Sequence, residues 1–256
     1  MTTTTTGAAA EDSSHDADGP AEAPSEHRLV AQATGQYIAR LQPRYLKDNP
    51  AAVSELARLR RGAGRRAHQV QDLWGVGGLE ELARLLADRP DFHRREDAEE
   101  AVFLASTLWA LHQQSGRDHG MHQRKQTLGG AVRTLMRLDN GPGADEERDS
   151  PLRTRLVRVG TAESVESVAV RLREIVLLLR GAQVPLDYAR LACQLYRWQS
   201  RPGRAGVQRE WGREFHLAAA PRARATAKDT EAQDGGDAID LSLSMDEEYG
   251  GYASGE

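Results

Sequence analysis

Cysteine is nearly absent: Cys193 is the only one in 256 residues, which excludes an intramolecular disulfide framework and any metal site built from several thiolates. Aromatic residues make up 5% of the chain, and alternating runs of β-branched and aromatic residues are almost missing, so no sheet is expected. No apolar run approaches the ~18 residues of a membrane span, and the polar start lacks the basic-then-apolar order of a secretory signal. The expectation is a soluble cytoplasmic chain with no membrane contact. Lysine is scarce as well. Of 34 basic side chains only Lys47, Lys125 and Lys228 are lysine.

The charges that are present are sorted by position. Residues 1–27 hold six carboxylates and no Lys or Arg, and residues 228–256 hold nine carboxylates against Lys228 alone. With those ends set aside, residues 28–227 keep 33 basic and 23 acidic side chains, an excess of ten that the net charge of −4 conceals. A body of that charge favours a polyanionic partner. Arginine abundance alone carries little, because biased base composition also yields chains rich in Ala, Gly and Arg. Placement on helix faces has to carry the argument.

The two ends contain too few large apolar residues to offset the entropy of ordering them, and residues 1–27 and 221–256 are read as disordered acidic tails. Between them, apolar residues recur at spacings of three and four, which predicts an all-α fold. A first helix is expected over His27 to Lys47, kinked or ended by Pro43. Asn49 and Pro50 form an N-cap and first-turn proline opening a segment that can run to Trp74. In a continuous helix Val53, Leu56, Leu59, Ala63, Ala67, Val70 and Trp74 share one stripe, and Arg58, Arg61 and Arg65 project from the opposite face. Gly62 and Gly64 each cost about 1 kcal/mol in a helix, so the segment can also break there.

The stretch Asp97 to Gln113 contains FLASTLWALH, Phe103 to His112, which is apolar nearly all round and is expected at the centre of the fold. His112, Gly116, His119 and Gly120 read as a loop. Thr127 caps a helix whose Leu128, Ala131, Leu135 and Leu138 face inward and whose Arg133 and Arg137 lie outward. The turn-forming Asp139 to Asp149 reads as a hinge, dividing the body into two small helical bundles: residues 28–139 and 150–220, with a linker at 140–149. In the second, Ser164 to Arg180 places Val165, Val168, Leu172, Ile175 and Leu179 on one face, bordered by Arg173 and Arg180. Val184 to Trp198 begins with a proline-led turn and continues as an amphipathic helix. A last helix, Val207 to Leu217, buries Val207, Trp211 and Phe215 and exposes Arg209 and Arg213.

No catalytic motif emerges, and the chain is read as not being an enzyme. His112, His119 and His122 could ligate a metal, but their spacing is not that of HExxH; no metal or other cofactor is expected. The Gly75 to Gly78 stretch and the Gly129, Gly130 pair lack the strand and lysine of a phosphate loop, and read as turns or close-packing points. Cys193 sits on the apolar side of its helix as a buried structural thiol. What is left is electrostatic. Arginines at 58, 61, 65, 133, 137, 173, 209 and 213 recur on outward faces, and guanidinium forks suit phosphate oxygens whatever the base sequence. An alternative from another class is a helical protein-interaction adaptor whose arginines meet acidic protein surfaces.

Taken in order, LARLRRGAGRRA (Leu56 to Ala67), FLASTLWALH (Phe103 to His112), TLGGAVRTL (Thr127 to Leu135), LREIVLLLR (Leu172 to Arg180), VPLDYARLACQLYRW (Val184 to Trp198) and VQREWGREF (Val207 to Phe215) resemble the CasB family. CasB is the small subunit of the type I-E Cascade CRISPR surveillance complex. The resemblance implies an all-helical, non-catalytic subunit of an antiviral ribonucleoprotein, paired with a second copy of itself and touching the backbone and large subunits. Its implied partners include guide RNA and target DNA with its displaced single strand, held in the R-loop by basic surface while base pairing reads sequence. By the same resemblance Arg60 and Arg61 match a basic pair early in the family pattern, and Arg133 and Arg137 match its basic stretch after S-L-G-R-A-L. The arginine of that segment is Gly130 here. The acidic ends lie outside the resemblance.

Overall fold

The computed structural model describes residues 25–70, 76–140 and 150–218, and over these the fold is all-α. The two tails and the linker read at 140–149 fall almost wholly outside the described residues; the helix before the linker ends at Asn140 and the first helix already begins at Glu26.

That helix, α1 (Glu26–Leu46), buries Leu29, Val30, Ala33, Tyr37, Ile38, Leu41 and Tyr45 at helical spacing. Pro43 does not end it. It falls in the last turn, where only one ladder bond is lost, and its own carbonyl still accepts the Lys47 N–H at 3.3 Å. Next, α2 (Pro50–Leu59) starts as expected, with the Asn49 side chain accepting the Ala52 N–H at 3.2 Å. It stops well short of Trp74. The backbone tightens into a 3₁₀ turn at Arg60–Gly62 and Gly64 takes φ +84°, a conformation a side chain would oppose. The seven-residue stripe therefore breaks at the glycines, and Trp74 lies outside the described residues.

Gly77 and Gly78, with φ +79° and +90°, turn the chain into α3 (Leu79–Leu86), a short helix that the periodicity did not single out. The central helix is α4 (Arg95–Gln113), buried on every side from Ala98 apart from Glu99. It includes His112, which belongs to its last turn and not to a loop. In α5 (Leu128–Asn140) the Thr127 hydroxyl accepts the Gly130 N–H at 3.1 Å. Gly129 is a close-packing point: a Cβ there would meet the Phe215 amide nitrogen and stand 2.5 Å from the Trp211 carbonyl oxygen.

The remaining helices are α6 (Pro151–Gly160), α7 (Val165–Gly181), α8 (Tyr188–Trp198) and α9 (Arg201–Leu217). Sequence reading missed α6, although Ser150 and Pro151 form a cap and first-turn proline. It also started α9 six residues late: Ser200 accepts the Gly203 N–H at 3.2 Å and Pro202 occupies the first turn, so RPGRAG is helical. Leu138, expected inward, is 63% exposed, and so is Leu217 at 67%. Both lie in the last turns of α5 and α9, which pack against each other. One apolar core draws on all nine of these helices. In it α8 packs on α1 and α4, and α7 packs on α4, so the helices on either side of residues 141–149 share that core.

Candidate nucleic-acid interface

The broken segment after α2 positions the basic surface. Arg66 reaches Glu166 of α7 at 2.8 Å and Glu100 of α4 at 3.6 Å, and the Ala67 N–H donates to Glu100 at 3.2 Å. Burial pushes the Glu100 carboxyl upward, while the Ala67 N–H and the Arg66 charge pull it back. This anchored turn lies against α7 closely enough that a Cβ on Gly64 would stand 2.8 Å from Cδ of Arg173. Arg60, Arg61, Arg65 and Arg173 are thereby brought together, all four exposed and without an ion pair among the described residues. Arg66, which the sequence reading passed over, is half-buried and holds the turn. Only tertiary contact distinguishes it from its neighbour Arg65.

The other predicted arginines separate from this group. Arg58 is exposed but lines a different cleft, shared with Arg40, Glu55, Glu80 and Glu81. Arg133, expected outward, is 7% exposed, with its guanidinium 5.4 Å from the centre of the Phe215 ring. A single-face wheel fails there because α5 packs against α6, α7 and α9 together. One turn on, Arg137 is exposed and donates to the Ala218 carbonyl at the end of α9, a favourable place for a cation. Arg209 and Arg213 are exposed one turn apart on α9.

The histidines do not converge. His112 is 1% exposed with Nδ1 2.8 Å from the Tyr188 hydroxyl, and burial pushes its pKa down to about 4. His122 accepts the Tyr188 backbone N–H on Nδ1 at 3.1 Å, which places its ring proton on Nε2. His119 is exposed. Among the described residues no three His, Cys, Asp or Glu side chains are arranged to hold a metal. Cys193 is half-buried, not buried, and lines a groove beside α1; burial raises its pKa and Arg197 partly offsets that. Gly78 and Gly129 serve as turn and contact point, as read. No described helix is long and apolar enough to cross a membrane.

No curated protein matches the chain significantly. Among solved structures, CasB from Thermobifida fusca is 45% identical, with a TM-score of 0.62 over 73% of this chain and 98% of that one. M. ruber CasB is 23% identical with a TM-score of 0.48, covering 80% of this chain and 98% of its own. A chain of a CRISPR RNA-guided surveillance complex is 21% identical with a TM-score of 0.48, covering 80% and 99%. The family model of CRISPR-associated protein Cse2 matches residues 55–216, from the middle of α2 to the last turn of α9 and across the whole arginine-bearing turn. The span of that match and the 45% identity to CasB place this chain in the Cse2 family.

Proposed function

We propose that this chain is the non-catalytic small subunit of a Cascade-type CRISPR surveillance complex, and that Arg60, Arg61, Arg65 and Arg173 bind nucleic-acid backbone there. The observation that carries the reading is the pinned turn: Arg66 pairs with Glu100 and Glu166, while Arg60, Arg61, Arg65 and Arg173 stay exposed with no ion pair among the described residues. Such a surface attracts phosphates irrespective of sequence. In this assembly the guide RNA reads the target by pairing, and the subunit holds target DNA, including the displaced single strand, so that the R-loop persists. Arg137, Arg209 and Arg213 add exposed positive charge on α5 and α9, apart from that turn.

The reading as a protein-interaction adaptor has one observation in its favour. Val157, Val170, Leu177 and Leu178 are exposed apolar residues on α6 and α7, the kind of surface that another subunit covers. We assign these residues to contact with the backbone or large subunits or with the second copy. The strand reading is tested by titrating labelled oligothymidylate against the whole protein over a salt series. Arg61→Ala, Arg65→Ala and Arg173→Ala together should flatten the log–log salt slope by about 2, at ~0.7 per lost phosphate contact. A slope equal to that of the wild type would overturn the assignment of this face.

A further inference from the structure

A groove of about 850 Å³ lies beside α1, and no residue of the arginine turn lines it. Its lining on α1 extends from Arg28 to Pro43, about 22 Å at 1.5 Å per residue. Ala31, Gly35 and Ala39 keep the α1 side shallow, and Gln32 and Gln36 project along it as exposed amides. The opposite wall comes from α8 and α9, and its acids are already engaged. Glu210 receives Arg190 at 2.6 Å and Arg197 at 2.9 Å. Asp187 accepts the backbone N–H groups of Lys125 at 2.9 Å and Arg190 at 3.1 Å. Arg28 and Arg124, both lining the groove, are exposed and have no ion pair among the described residues.

The loop that carries Arg124 is built, not slack. Leu186 donates to the Met121 carbonyl at 3.0 Å, Asp187 to the Gln126 carbonyl at 2.7 Å, and the His122 N–H to Oε1 of Gln42 at 2.9 Å. Between these fixed ends Gln123, Arg124, Lys125 and Gln126 are all exposed. Lys125 has φ +71°, where a side chain is disfavoured and glycine would sit without strain. The backbone gains nothing from a lysine there, which points to a use for the ammonium group, since strained non-glycine residues gather at ligand-binding positions.

We propose that Arg124 and Lys125 form a second phosphate-binding site, holding single-stranded nucleic acid that runs through the α1 groove to Arg28. Two adjacent cations on a pinned loop bind backbone without reading bases, and the exposed glutamine amides offer hydrogen bonds to sugars or base edges. This rests on the reading that the subunit binds nucleic acid, but it assigns a face the arginine turn does not reach.

The test compares Arg124→Ala with Lys125→Gly in one variant against the Arg61, Arg65, Arg173 triple variant, using labelled oligothymidylate over a salt series. Lys125→Gly keeps the left-handed backbone, and circular dichroism checks that helix content is retained. The loop variant should flatten the slope by about 1.4, at ~0.7 per contact, and combining it with the triple variant should add the two effects. An unchanged slope in the loop variant beside a flattened one in the triple variant overturns the loop site and leaves the proposed function standing. No binding by the wild type overturns both. Loss of polyglutamate binding with unchanged oligothymidylate binding gives the groove to an acidic protein segment and also overturns the proposal.

Discussion

Acidification should cost this fold stability through one imidazole. His112 lies in the last turn of α4 with Nδ1 2.8 Å from the Tyr188 hydroxyl, and desolvation is the main cause that brings its pKa from 6.5 to about 4. The Leu179 carbonyl offsets that in part and Arg180 adds to it. Between those two pKa values the unfolded chain binds a proton that the folded chain refuses, so stability is full above about pH 6.5 and drains as the pH falls. Linkage gives a loss of about 2 kcal/mol between pH 7.5 and pH 5 from this group alone. His122, also held low by burial, acts in the same direction. Glu100 and Glu214, whose pKa values burial raises, act in the opposite one, because they take up protons more readily folded than unfolded. Comparison with His112→Gln isolates the term: the amide can still meet the Tyr188 hydroxyl but does not titrate. Urea denaturation at pH 7.5 and pH 5.0 should show the wild type losing about 2 kcal/mol more than the variant between the two conditions. Parallel losses in the two proteins would mean that His112 is not held neutral by burial, and the reasoning would fail.

Three further outcomes follow from the packing. Arg133→Ala should lower the urea midpoint, by about 1–3 kcal/mol for a lost buried contact, with the salt slope for oligothymidylate unchanged; a flattened slope would return Arg133 to the binding surface. Gly129→Ala should destabilise by at least about 1–3 kcal/mol, because the methyl meets the backbone of α9 at Phe215 and Trp211, and an unaltered thermal midpoint would contradict that crossing. Gly64→Ala should cost about 1–2 kcal/mol through its φ of +84°. It should also weaken strand binding, since the new methyl displaces Arg173; measured affinity equal to wild type would detach Arg173 from the site.

Much of the fold was legible because helices announce themselves locally. Asn49, Thr127 and Ser164 each precede an apolar-periodic run, and each side chain accepts a backbone N–H of the helix it opens. The central position of α4 was legible for a different reason: a helix without a polar face has nowhere to go but inside. The misses have equally physical causes. The eight residues of α3 are too few for periodicity to stand out against their flanking charges. Its start depends on Gly78 adopting φ +90° beneath Val102 and Tyr37. Ser150 and Pro151 did carry a signal for α6, but it follows a turn-forming, acidic stretch that reads as hinge.

The binding surface was legible in composition and only partly in placement. A helical wheel assumes one buried face, and on α9 it puts Arg209 and Arg213 on the exposed side, where they are. It fails for Arg133, whose helix is contacted from three directions, and it could not be applied to Arg61 and Arg65 at all, because the α-helix ends before them at Leu59. What gathers Arg60, Arg61, Arg65 and Arg173 is not helical phase but two buried or half-buried charges. Glu100 and Arg66 draw the turn onto α4 and α7, and Gly64 lets Arg173 lie against it. The same logic separates useful arginines from structural ones elsewhere. Arg190 and Arg197 have their charges taken by Glu210, whereas Arg124 projects from a loop whose every bond is made by something other than its guanidinium. In a chain this rich in arginine, the carboxylates therefore mark the surface: an exposed arginine with no acid in reach has its charge left for a phosphate.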